Sequence, residues 1–262
     1  MVDRHALQQV PRARRGGRRR PPRVRLAVSV AVSVAAGAAG LAGCTGSGSH
    51  APGGSVTGAN GMTMSATGMF SAAKLRGALL TRVNGVAARA TAQSGSYSSL
   101  PQVRQAAKAM AALLVTPKGC GQPASVGGTG LDGVLGGAPA AVVTFQVGAN
   151  GVSEVLAAPA DSAAAAALST HIRAGCTRYR ATTSGKTQQY TVAQSWVTGI
   201  GKQARLLSVS PAGQPSGTVW SLVYRGDGFI GAITVVGPNA SESAARELGQ
   251  QAYAYAAKTL HM

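Results

Sequence analysis

Three rhythms of hydrophobic and polar positions follow one another along this chain. Residues 26–43 are apolar or small throughout, broken only by Ser29 and Ser33. Residues 45–69 are rich in Gly, Ser and Thr, carry no charge and show no period, which describes a flexible tether rather than a folded element. From residue 71 onward the pattern becomes that of a folded domain. Leu75, Leu79, Val83 and Val86 recur at near-helical spacing and predict a first helix, weakened by Gly77 and Asn84-Gly85. A polar loop is expected over 91–101. Val103, Ala107, Met110 and Leu114 then predict a second helix, ended by Pro117. The Gly-rich stretch 121–139 reads as a surface loop.

The remaining pattern is mostly strand. Residues 140–147 (AAVVTFQV) predict a strong strand, with 152–157 as its partner across a turn at 148–151. Asp161 is expected to cap an Ala-rich helix over 162–175, with Ala165, Leu168 and Ile172 on its apolar face. Beyond it the period drops to two. Residues 178–183, 188–196, 205–211, 218–225 and 229–236 read as five short strands, punctuated by Ser184-Gly185 and Gly226-Asp227-Gly228. Asn239, with Glu242 three positions on, starts a last helix over 240–259, whose stripe is Ala245, Leu248, Ala252 and Tyr255. Runs of strands flanked by helices predict an α+β domain, an antiparallel sheet of five to seven strands with helices packed against it.

Charge adds less than its total suggests. The formal net charge is +18, but residues 1–43 hold nine Arg and one Asp and so supply +8 of it. The other 219 residues keep about +10, which favours anionic lipid headgroups or acidic wall polymers as neighbours. No basic run with interleaved aromatics is present, and nucleic acid is not an expected partner.

The first 44 residues carry the sharpest motif. Eight arginines crowd residues 12–25, the apolar run follows, and Leu41-Ala42-Gly43-Cys44 closes it. Such a series describes a secretory signal. A retained membrane anchor is the competing reading, since 18 residues is near the lower limit for a span, and the Ala/Gly content makes this one weakly hydrophobic. LAGC resembles the lipobox of bacterial lipoproteins. That resemblance implies cleavage before Cys44, lipidation of its thiol, and residence at the extracytoplasmic face of the cell membrane. The division expected is a signal peptide over 1–43, a lipidated Cys and tether over 44–70, and one domain over 71–262.

Candidate chemistry is sparse. With Cys44 taken by lipid, Cys120 and Cys176 remain, and in an oxidising compartment an isolated pair reads as a disulfide. A metal site built on Cys176 and nearby His171 lacks the four ligands that structural zinc takes. Gly128 to Gly133 match GxGxxG in form, but no strand precedes them. Ser184-Gly185-Lys186-Thr187 misses a phosphate loop, because Arg180 stands where the first Gly is needed. The six acids after Cys44, Asp132, Glu154, Asp161, Asp227, Glu242 and Glu247, form no general acid/base couple by spacing, and there is no GxSxG or HExxH. No catalytic residue and no cofactor is expected. Tyr190, Trp196, Trp220, Tyr224 and Phe229 are the candidates to line a ligand pocket, with a place in the sheet core as the competing role.

Several stretches together resemble the PknH-like extracellular sensor domain found in actinobacterial receptor kinases and exported lipoproteins. They are Leu113-Leu114 leading to Cys120, the strand 142–147, the segment His171-Ile172-Arg173-Ala174-Gly175-Cys176-Thr177-Arg178-Tyr179, the 220–236 hairpin and the final helix. The resemblance spans about residues 71–260 and implies an α+β sensor or ligand-binding domain. A non-catalytic lipoprotein taking a hydrophobic or anionic small ligand is the first expectation. A structural lipoprotein that holds an envelope protein partner is the second.

Overall fold

The computed structural model describes residues 69–120, 135–169 and 171–261. Cys44, the signal segment, the tether up to residue 68 and the GxGxxG stretch lie outside the described residues. The predicted class is observed: a nine-stranded, wholly antiparallel sheet with helices against both faces. The count exceeds the expected five to seven because both edge strands are short: β3 (Gln93–Ser96) has no apolar residue, and β4 (Leu114–Thr116) lies where the second helix was expected to end.

The first element among the described residues is α1 (Ala72–Gly77), capped by Ser71, whose Oγ accepts from the Lys74 N–H at 3.3 Å. Phe70 is already buried, so the folded domain starts inside the stretch assigned to the tether. The predicted helix stops at Gly77 instead of running on to Val86. Asn84 and Gly85 take positive φ (49° and 79°) and turn a small hairpin between β1 (Arg82–Val83) and β2 (Val86–Ala87). Asn-Gly is the residue pair such a turn prefers. The expected loop at 91–101 holds β3 (Gln93–Ser96) and a 3-10 turn at Tyr97–Ser99. Pro101 opens α2 (Pro101–Ala111), where its missing N–H costs nothing. Of the expected helix stripe only Val103 is buried, and Leu114 lies in strand β4 (Leu114–Thr116), exposed.

The predicted strands are found with small shifts at their ends. They are β5 (Pro139–Val147), β6 (Asn150–Ala157), β7 (Arg178–Thr183), β8 (Lys186–Val197), β9 (Gln203–Pro211), β10 (Val219–Arg225) and β11 (Ile230–Val236). The sheet order is β3-β5-β6-β11-β10-β9-β8-β7-β4. Strands β7 to β11 form a meander, and β11 returns beside β6. The hairpin of β5 and β6 is thereby joined to the meander through the middle of the sheet. Between β6 and β7 lies α3 (Asp161–Ser169), shorter than the expected 162–175. Asp161 is its first residue rather than its cap. The final helix, α4 (Glu242–Leu260), is capped by Ser241, whose Oγ accepts from Ala244 N–H, and not by Asn239. The Asn239 N–H donates instead to Asn150 Oδ1 at 3.1 Å.

Burial explains the two strand rhythms. One face of β5, β6, β10 and β11 packs under α1 and α4, burying Leu75, Leu79, Phe145, Leu156, Leu222, Ile233 and Leu248. Their other face packs against Tyr97, Leu100, Val103 of α2, and Leu168 of α3. Strands covered on both faces read as near-continuous apolar runs. In β7 and β8 only one face is covered, so Tyr179, Ala181, Tyr190 and Val192 alternate with exposed Arg178, Arg180, Gln189 and Thr191. No helix among the described residues is long and apolar enough to cross a membrane.

Candidate functional site

The structure distributes the five candidate aromatics over three places. Tyr190 stacks on Tyr179 with ring centroids 5.3 Å apart, in a cluster that includes Cys120 and Cys176. Burial pushes both phenols upward in pKa. Trp196 stands opposite Arg205 on the helix-poor end of the sheet and is 49% exposed. Trp220 is half-buried at the margin of the core under α4. Tyr224 and Phe229 are fully buried beneath α4, edge to face at 6.2 Å, and Tyr253 of that helix completes a trio at 5.8 and 6.4 Å. The five therefore do not line one pocket. A cavity of about 10 Å³ lies on the opposite face, between Tyr97, Leu135, Val155, Ala157, Ile230 and Ala232. It has apolar walls and room for about one water molecule.

The predicted pair Cys120–Cys176 is a disulfide in the structure. Cys120 follows edge strand β4 rather than the end of a helix, and Cys176 leads into β7, so the bond clamps two neighbouring strands. His171 is exposed, and no group of three metal-ligating side chains occurs among the described residues.

Sequence reasoning passed over the most unusual group. Glu154 of β6 is fully buried, on the face covered by α1 and α4. Its strand neighbours on that face are Val152 and Leu156, and its partners across the sheet are Val143 and Ile233. Oε2 accepts the Leu80 backbone N–H at 2.7 Å. Oε1 has no hydrogen-bond partner among the described residues, nor does Tyr224 Oη, also fully buried. Burial pushes the Glu154 carboxyl up to about 8, against the downward pull of the Leu80 N–H. The Tyr224 phenol is raised well above its ordinary value by burial first, then by Glu154 and Tyr253.

Gly231 brings the phenol and the acid into electrostatic reach. It stands opposite Tyr224, and a Cβ there would lie 2.2 Å from Tyr224 Cζ. The missing side chain lets the Tyr224 ring lie across β11 toward β6, the strand that carries Glu154. The signal in the sequence was an acid in the inward register of Val-Ser-Glu-Val-Leu, at a position where the pattern calls for an apolar residue.

A second buried ionisable group sits on the other face. Arg205 Nη2 donates to the Ala167 carbonyl in the last turn of α3 at 3.3 Å, a favourable place for a cation, although burial lowers its pKa.

Fold and site together define an α+β domain with a filled sheet core and an ionisable group inside it. Comparison with solved structures finds the extracellular domain of PknH from Mycobacterium tuberculosis, 18% identical, with a TM-score of 0.49 over 74% of this chain and 98% of that one. It also finds the Rv0999 ortholog from Mycobacterium smegmatis, 13% identical, with a TM-score of 0.34 over 65% of this chain and 86% of that one. No protein-family model matches the chain, and no curated protein matches it.

Proposed function

We propose that this chain is a lipoprotein held at the extracytoplasmic face of the cell membrane through Cys44, and that its domain is a non-catalytic, sensor-like binding module. The observation that carries the location is the Cys120–Cys176 disulfide in a domain that begins about 25 residues after Leu-Ala-Gly-Cys. Structural disulfides belong to oxidising compartments, and the basic head, apolar run and lipobox-like motif describe the route to one. The sensor-like part is supported by the sequence resemblance and by Glu154, an acid whose burial costs stability and which no packing need explains.

One observation favours the interaction reading as well. Beyond the reach of α1 and α4, strands β7 and β8 present Arg178, Arg180, Gln189 and Thr191 to solvent, a polar surface suited to an envelope partner. The small apolar cavity on the other face has no room for more than a water.

Lipidation is tested by metabolic labelling with a fatty acid. The wild-type protein is expected to take up label and Cys44→Ala to take up none. Undiminished label on the variant contradicts the anchor.

A further inference from the structure

The geometry points to a proton-operated lid: α1 and the segment after it through β1, residues 70–83, are latched over the sheet by neutral Glu154 and released when that carboxyl ionises. The inference stands on the domain alone and is independent of the lipid anchor.

The lid is the light cover of its face. It seats Phe70, Leu75, Leu79, Leu80 and Val83 through a six-residue helix and a two-residue strand, whereas α4 is a 19-residue helix. Leu80, whose N–H meets Glu154 across 74 residues of sequence, lies in the middle of it. A neutral carboxyl suits the closed arrangement. One oxygen accepts from Leu80 and the other keeps a proton. An ionised carboxyl in the same place is a buried charge with an unpartnered oxygen, a costly combination.

Among the described residues no cation faces it. On α1, Lys74 and Arg76 are exposed, and on the hairpin Arg82 is exposed and bonds the Gly85 carbonyl. Strands β5 and β11 bring Val143 and Ile233. Strand β10 brings the Tyr224 phenol, and α4 brings the Tyr253 phenol behind it. Water is what relieves the charge, and lifting the lid admits it. Opening would uncover the apolar surface of β5 and β6 on which α1 packs.

Linkage fixes the sign. The open lid exposes a carboxyl that ionises near 4.5, while the closed one holds its proton up to about 8. Opening therefore releases a proton between those values, and the open population rises about tenfold per pH unit across that window, then levels off. Hydrogen exchange of the whole protein, corrected for the intrinsic pH dependence of exchange, reads this directly. Amides of residues 75–83 are expected to exchange faster than those of α4 at every pH, to accelerate about tenfold per unit from pH 5 to 8, and to lose that slope in Glu154→Gln. Equal rates in the lid and α4, or the same slope in the variant, overturn the inference. A flat wild-type profile overturns it whether or not the variant folds.

Discussion

The unfolding free energy of the wild-type protein is expected to fall steeply between pH 4.5 and 8, and that of Glu154→Gln to stay nearly level across the same window. The folded carboxyl holds its proton up to about 8, while the unfolded one releases it near 4.5. Stability linked to Glu154 is thus fully present below the unfolded value and is lost as pH rises through the folded one. The gap between the two values corresponds to at most about 5 kcal/mol. Against a typical total of about 5–15 kcal/mol, that loss would dominate the pH profile. Gln keeps the shape and the capacity to accept from Leu80 but has no proton to release. Urea unfolding at several pH values measures the difference. Parallel profiles for the two proteins would show that Glu154 is hydrated in the folded state and would contradict this prediction.

Removing the disulfide with the double variant Cys120→Ser, Cys176→Ser is expected to have a comparable effect at every pH. The bond closes a loop whose ends are 56 positions apart, enclosing β5, β6 and α3. Chain entropy assigns roughly 4 kcal/mol to a loop of that size. For a domain of about 190 residues, this lowers the melting temperature by about 10 °C. The damage should start at β4, a three-residue edge strand that pairs only with β7 and has little burial of its own. Thermal melts of the oxidised protein and the variant test this, alongside thiol counting on denatured, unreduced protein. An unchanged melting temperature, or two reactive thiols from Cys120 and Cys176, contradicts it.

What the sequence made legible follows from where burial is local. The meander from β7 to β11 could be read because each strand alternates or runs apolar between turn residues. Ser184-Gly185 and the 226–228 turn lie where the hairpins close, with positive φ at Ser184, Gly185 and Gly228. The edge strands could not be read. Gln93–Ser96 has no apolar residue, and its pairing with β5 is a backbone matter. At Asn84-Gly85 the turn signal was present, but the helical spacing of Leu75, Leu79 and Val83 competed with it. Those side chains are buried, from a helix, a bend and a hairpin in turn.

The candidate site was harder still. Tyr224 and Phe229 could be singled out as aromatics, but their partner Tyr253 comes from the final helix and the acid beside them from β6. Glu154 looks like one acid among six until the chain from residues 70–80 folds over it. Trp196 shows the reverse case. Its neighbour Val197 is buried under the helices, and Trp196, one position out of that register, faces outward beyond the cover of the other side.

The most direct test of the account as a whole is where the domain stands relative to the membrane. Protease added to intact spheroplasts should digest the domain without lysis, while the fraction left undigested sediments with membranes. A domain that survives until the cells are broken, or that is soluble with Cys44 in place, would contradict an extracytoplasmic, lipid-anchored module.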